Sequence, residues 1–444
     1  MSPAQPAIWG LDPFWLSLAV LLIAYGALVW DRLNRAIVAL LGGGAMLAAG
    51  ILDQDSAVAA QDFNTLALLI GMMLLVAIAR PSGMFQYLAF WSAKTAGGRP
   101  ATLLALLSLV TAMVSAALDN VTTVLLIAPV TLVITSELRL AAFPFLFSEV
   151  MASNIGGAAT LIGDPPNILI GSAAGLSFNA FILHLSPAAA IVLAVQLVVG
   201  HLVWGRHMRF ESEAQARVLS FRLGDAITDR PLLWKSLAVL SLVLAGFAGG
   251  ERFGFKPGAT AILGAALLLM LDNIRRSPAE QSRRVHATFG EIEWVTIFFF
   301  VGLFVIVAGV NRAGVLEWVA AGIVKATGGS LTAAALLVLW ASALLSALVD
   351  NIPFVATMIP VIKGMAPGLG GADAMQPVWW ALALGACLGG NGTLIGASAN
   401  LTVAGVAERN GIAFGFLSFL KFGFPMMLGS IVLCMIYVLL RYLL

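Results

Sequence analysis

Two aspartate–asparagine pairs stand inside apolar stretches, where an ionisable side chain is expensive and is functional by default. Asp119-Asn120 opens DNVTTVLLIAPV (119–130), and Asp350-Asn351 opens DNIPFVATMIPV (350–361), 231 positions later. An aspartate so placed can carry a proton or hold a cation. The asparagine beside it offers both donors and acceptors to a hydroxylated solute, and Thr122 and Thr123 add hydroxyls to the first pair. An aspartate also caps a helix well, which is compatible with the transport role. A second constellation lies in EVMASNIGGAATLIGDPPNILIG (149–171) and its partner GACLGGNGTLIGASAN (385–400), where TLIG recurs after 233 positions. The first segment carries Glu149, Asn154, Thr160, Asp164 and Asn167. The second carries Asn391, Thr393, Ser398 and Asn400 but no carboxylate. Coupling to protons is therefore expected at Asp119, Glu149, Asp164 and Asp350, mainly in the first half. Substrate contacts are expected at Asn120, Thr122, Thr123, Asn154, Thr160, Asn167, Asn351, Asn391, Thr393 and Asn400. No arginine or lysine is expected at this depth, so the residues suit a neutral or cationic solute better than a dicarboxylate.

The elements that must position these groups follow from composition and repeats. Hydrophobic residues make up 60% of the 444 and charged residues 10%, against roughly a quarter charged in soluble domains. The chain is an integral membrane protein. Its net charge of +2 gives no reason to expect a nucleic-acid partner. Ten apolar segments are long enough to span, near 14–30, 36–52, 63–79, 143–173, 180–205, 232–249, 258–272, 293–311, 377–403 and 414–440. Two more, 102–136 and 331–366, are too long for one span and have no hydrophilic centre. They read as re-entrant hairpins with Asp119 and Asp350 at their tips, where irregular backbone must be buried in protein or line a cavity. Pro165-Pro166 and Gly389-Gly390 break the helices in 149–171 and 385–400.

The expected fold is all-α, with two inverted repeats of five spans plus one hairpin and discontinuous helices at midplane. Residues 1–205 form the first repeat, 206–231 a cytoplasmic linker and 232–444 the second repeat. With the N-terminus outside, sixteen basic residues fall in inner segments, Arg35 among them, against six in outer ones, which fits the positive-inside rule. The N-terminus has no basic region, so a cleaved signal peptide is not expected. Segments 84–95 and 315–326 follow Gly83 and Gly314 and are expected to brace the hairpins at the interface. Trp9, Trp15, Trp30, Trp379 and Trp380 read as an aromatic belt. Cys387 and Cys434 read as small buried hydrophobes with no metal-ligand spacing. His184, His201, His207 and His286 fall at span ends or in loops. No P-loop string, catalytic constellation or cofactor motif is present.

The motifs DNVTTVLLIAPV, NIGGAATLIGDPPN, DNIPFVATMIP and GGNGTLIGASAN resemble the ion transporter superfamily over about residues 14–440. They are most similar to its arsenite/antimonite permease branch, which includes the melanosomal P protein and NhaD-type antiporters. The resemblance implies a scaffold, a transport domain moving as an elevator, often a homodimer, and sometimes a separate ATPase subunit. It implies proton-coupled efflux of arsenite or antimonite across a bacterial inner membrane. Relatives that carry dicarboxylates have Ser-Asn-Thr at the tips, unlike this chain. With no tip cysteine, trivalent arsenic would be held as neutral arsenous acid through hydrogen bonds. The alternative is sodium/proton antiport, with Na⁺ at Asp119, Asn120 and Asp350. A non-transporting scaffold or channel is a third reading.

Overall fold

The computed structural model describes residues 10–30, 32–97, 99–208 and 222–444, and all regular structure among them is helical. Most of the expected linker, with Arg209 and Arg217, lies outside the described residues, as does Trp9. The first half contains α1 (Pro13–Trp30), α2 (Arg35–Ala48), the short α3 (Gln54–Ala59), α4 (Phe63–Ala79) and α5 (Met84–Thr95). It continues with α6 (Pro100–Ala117), α7 (Asn120–Glu137), α8 (Phe143–Ala158), α9 (Pro165–Ala174) and α10 (Phe178–Gly200). The second half contains α11 (Arg230–Gly249), α12 (Pro257–Asn273), α13 (Pro278–Gly290), α14 (Trp294–Arg312) and α15 (Val315–Ala326). Then come α16 (Leu331–Ser346), α17 (Asn351–Met365), α18 (Gln376–Gly389), α19 (Ser398–Arg409) and α20 (Phe416–Val438). The expected spans 143–173 and 377–403 are each two helices. Short α3 and α13 were not expected from hydropathy, because they are too polar to register as spans. Eight described helices are long and apolar enough to cross a membrane, including α6 and α7.

Burial sorts the helices into an inner and an outer set. Every residue from Pro144 to Ala158 in α8 and from Pro377 to Gly389 in α18 is buried. A helix buried on every face belongs in the centre of a large assembly. By contrast, α1, α10, α11 and α20 have a minority of buried residues and present apolar side chains outward, as a lipid-facing ring does. Trp15 and Trp30 are exposed in keeping with an aromatic belt, but Trp379 and Trp380 are 7% and 0% exposed and pack inside. Their position at the start of a central helix, not at an interface, corrects the belt reading.

The two halves are joined by exchanged helix pairs. Helix α2 packs on α14, and α4 packs on α12. Both contacts depend on a glycine. A Cβ at Gly302 would meet the Ala39 backbone at 2.4 Å, and one at Gly71 would meet the Ala261 backbone at 2.6 Å. Gly71 and Gly302 are 231 positions apart, so one contact is made twice with the halves interchanged. The contacts run in register, with Gly309 against Met46 and Gly264 beside Leu75, so each pair is parallel. The starts of α2 and α14 lie at one end, joined by Arg35 to Glu293. The starts of α4 and α12 lie at the other, joined by the Gly258 amide donating to Asn64 Oδ1 at 2.9 Å.

Gly83 and Gly314, also 231 apart, have φ of 84° and 83° at the starts of α5 and α15. A side chain is disfavoured in that left-handed region, so the repeated glycine marks the turn into each brace. Helix α5 packs on α6 and α7, and α15 packs on α17, as the sequence reading expects.

Candidate functional site

The two hairpins, α6–α7 and α16–α17, turn at Leu118-Asp119 and at 347–350. Asp119 accepts from the Thr122 amide at 2.8 Å, and Asp350 from the Ile352 amide at 3.0 Å. Both aspartates therefore cap the returning helix, which stops each α-helix from running on through the turn. The first tip meets the break between α8 and α9, where the Asn120 amide donates to the Gly163 carbonyl at 3.1 Å. Prolines open α9 at Pro165-Pro166, where a missing N–H is tolerated.

Each break is held by the same set of bonds. The Thr160 hydroxyl donates to the Ala116 carbonyl at 2.6 Å, and Thr393 does the same to Ala347 at 2.5 Å. Asn167 Nδ2 donates to the Thr160 carbonyl at 2.9 Å, and Asn400 Nδ2 to that of Thr393 at 2.8 Å. Ser115 reaches the Ser153 carbonyl at 2.7 Å, as Ser346 reaches Ala386. Thr160 and Thr393 thus tie the breaks to the hairpin arms, and Asn167 and Asn400 take up carbonyls freed by the breaks.

A buried amide network then joins the halves. Asn154 accepts from Asn120 Nδ2 at 3.1 Å and donates to Asn391 Oδ1 and Asn400 Oδ1, both at 2.9 Å. Position 387, equivalent to 154 at the 233 offset, is cysteine. Its Sγ lies 3.5 Å from Asn167 Oδ1, so Cys387 occupies the other half of the network as well as packing. The Thr123 hydroxyl is buried without a partner among the described residues.

A central cavity of about 50 Å³ is lined by Asp119, Asn120, Thr122, Asp164 and Asn351, with Arg35, Glu293, Thr296 and Ser398. Asp164 is 1% exposed and receives the Asn351 amide at 3.2 Å. Glu149 does not line this cavity; it is 1% exposed and accepts from Thr131 at 2.5 Å, and its Oε2 has no partner among the described residues. Asp350 lines the neighbouring vestibule. No group of three or more His, Cys, Asp or Glu among the described residues is arranged to hold a metal ion. The sodium trio Asp119, Asn120 and Asp350 is divided, because Asp350 turns to Arg35.

Arg35 is the residue that sequence reasoning missed. It was placed in a loop, and the site was expected to lack a cation. It is instead the first residue of α2, and its long side chain reaches inward. Nη1 donates to Ser398 Oγ at 2.6 Å and lies 3.7 Å from Asp350 Oδ2. Nη2 donates to Thr296 Oγ1 at 2.7 Å and lies 3.8 Å from Glu293 Oε2. Its only sequence signal was its place at the first turn of an apolar segment.

Two vestibules flank the cavity at opposite ends of the exchanged pairs. One, beside Arg35, is lined by Val295, Phe299 and Leu401; the other, beside Lys256, by Asn64, Leu68 and Ile168. These trios are equivalent at the 231 and 233 offsets. The central cavity shares Arg35, Val121, Glu293 and Ser398 with the first vestibule but shares Ile168 alone with the second. The halves thus make two related entrances, one sharing four lining residues with the cavity and the other sharing Ile168.

Broken helices, paired hairpins and two repeat-related entrances around a polar cavity define a multi-pass secondary transporter. The citrate transporter (CitMHS) profile matches residues 25–385, and the chain belongs to that family. It is 42% identical over 431 residues to "Uncharacterized transporter Rv2684" of Mycobacterium tuberculosis (strain ATCC 25618 / H37Rv), covering 96% of this chain and 98% of that protein. It is 35% identical over 508 residues to human P protein, covering 96% of this chain and 59% of P protein. The solved YdaH transporter of Alcanivorax borkumensis shares the fold, with a TM-score of 0.60 at 15% identity over 96% of this chain and 98% of that one.

Proposed function

We propose that this transporter couples protons to the efflux of a small hydroxylated solute, arsenite or antimonite in the neutral acid form. The observation that carries the reading is Asp164, buried at the meeting point of the hairpin tips and facing the neutral Asn351 amide. A buried carboxylate without a cationic partner is costly, and it is relieved by taking a proton or a cation. Asp119 beside it supplies a second exchangeable group, and Asn120, Thr122 and Asn351 supply hydrogen bonds to the solute's hydroxyls. The network of Asn154, Asn167, Asn391 and Asn400 shapes the cavity from behind. Glu149 serves as a proton station off the cavity.

The family's name points to citrate. The cavity wall brings Asp119, Asp164 and Glu293 against the single cation Arg35, which already faces Asp350 and Glu293. That balance favours a neutral or cationic solute over a tricarboxylate, and the small cavity favours a small one. In this reading the protein lies in a bacterial inner membrane with its N-terminus outside. The Arg35 vestibule is then cytoplasmic, and the hairpin-bearing core moves as an elevator to open the Lys256 vestibule. A homodimer and a separate ATPase subunit belong to the same expectation; the mass of the purified protein and the ATP dependence of uptake read them out.

The test is arsenite accumulation in everted vesicles from a host lacking its own arsenite pump. Accumulation driven by an imposed proton gradient, and abolished by its collapse, is the expected result. No accumulation, with sodium-evoked loss of the proton gradient, would replace it by sodium/proton antiport. Accumulation of citrate in its stead would return the chain to the substrate of its family's name.

A further inference from the structure

Arg35's polar contacts run in two directions, within the exchanged pair α2–α14 and across to the second hairpin, which an alternating-access cycle must separate from that pair. One side of its guanidinium holds α14 through Thr296 and Glu293. The other side holds the second hairpin and its broken helix through Asp350 and Ser398. Ser398 Oγ also donates to Asp350 Oδ2 at 2.8 Å, so the three groups close a triangle. Nearby, the Tyr25 hydroxyl of α1 donates to the Pro353 carbonyl at 2.5 Å and contacts Thr357. The second hairpin is therefore fastened to the outer helices at the Arg35 end. The first hairpin has no matching ion pair among the described residues. The glycine contacts place position 257 opposite position 35, and it is proline; the neighbouring Lys256 lines the other vestibule and has no ion pair among the described residues.

We propose that Arg35 is a positioning residue, a tether that holds the core in the state joined to the Arg35 vestibule until Asp350 loses its charge. A proton or a cation on Asp350 removes the attraction to Arg35 and frees the core to move. The charged groups that face this pair are Glu293 beside Arg35 and, across the cavity, Asp119 and Asp164; among the described residues Arg35 is the only basic one lining the cavity. With Asp350 neutral, Glu293 keeps the guanidinium on the scaffold side. The proposal rests on the transporter class alone, not on arsenite or on the proton as coupling ion.

The test uses the full chain purified in detergent, with Ile168→Cys as reporter. Ile168 is 2% exposed and lines both the cavity and the Lys256 vestibule. Cys387 and Cys434 are buried, and the chain without the reporter gives the background. Arg35→Gln is expected to raise maleimide labelling of the reporter about three- to tenfold, the range for loss of a half-buried ion pair with its hydrogen bonds. Asp350→Asn is expected to match it, the double variant to go no higher, and Arg35→Lys to stay near the parent. If Arg35→Gln does not fold, Asp350→Asn and Arg35→Lys carry the same comparison. Unchanged labelling in folded Asp350→Asn, or additive effects in the double variant, would overturn the tether. Either answer is independent of whether arsenite is carried.

Discussion

Asn154 of α8 and Asn400 of α19 join the two broken helices from opposite halves, with Nδ2 and Oδ1 2.9 Å apart and both side chains fully buried. The bond matters because each partner has further obligations. Asn154 also engages Asn120 and Asn391, and Asn400 takes up the Gly390 and Thr393 carbonyls. Removing one side leaves the others unsatisfied in a buried core. Asn154→Ala is expected to destabilise the protein by about 1–3 kcal/mol. Asn154→Ala with Asn400→Ala should fall short of the sum of the single effects, as coupled neighbours do. Thermal unfolding in detergent measures this; additivity would show that the bond does not link the halves.

The exchanged helix pairs make a second prediction. Gly302→Val forces Cγ atoms into the Ala39 backbone, so about 1–3 kcal/mol of stability should be lost. Gly71→Val, at the equivalent contact, should behave alike. Gly26→Ala has open space around it and is the control expected to change little. A melting series over the three variants decides the matter, and equal midpoints would contradict the packing.

Much of this architecture was legible in the chain, and the reason is physical. Aspartates in apolar runs, the Pro165-Pro166 pair and a repeated TLIG each mark a place where the helix stops, and the hairpins and breaks lie there, whereas Pro129, Pro187, Pro360 and Pro425 stand inside continuous helices. Gly71 and Gly302 were visible as a repeat, but their partners were not, because Ala39 and Ala261 lie far away in sequence and carry no signal. Arg35 was hidden for a related reason. A basic residue at a segment boundary reads as a loop charge, and only the packing of α2 on α14 turns it toward Asp350. Cys387 looked like any small apolar residue until the fold set it opposite Asn167. Trp379 and Trp380 suggested an interface because their burial depends on where α18 sits.

Glu149 stands apart from the cavity, so its role separates from binding. Glu149→Gln keeps a hydrogen bond to Thr131 possible in the reverse sense and alters no cavity wall. Binding of the transported solute is expected to change by less than about twofold, while gradient-driven flux drops by about tenfold or more, in the range by which proton-transfer groups contribute to rates. Isothermal binding and vesicle flux on the same preparation compare the two. Weakened binding with an unaltered ratio of driven to undriven flux would remove Glu149 from the coupling path.

Ile168 is the residue that lines both the cavity and the Lys256 vestibule among the described residues. Shortening it to Ala is expected to admit water and to raise the passive proton leak, as hydrophobic constrictions gate by excluding water. Dye-reported pH decay in proteoliposomes would show faster equilibration than in the parent. Leu401→Ala at the equivalent position of the other vestibule should not, since that entrance already adjoins the cavity through four shared residues. Equal leaks in both would contradict the assignment of the closed side.

The central claim is that Asp164 carries the coupling proton at the crossing of the hairpin tips. Its most direct test is Asp164→Asn in proteoliposomes, with arsenite exchange at equal pH measured beside uptake driven by a pH gradient. Exchange is expected to persist, because the amide preserves the cavity wall, while gradient-driven uptake is lost. Full gradient-driven uptake in the variant would contradict it.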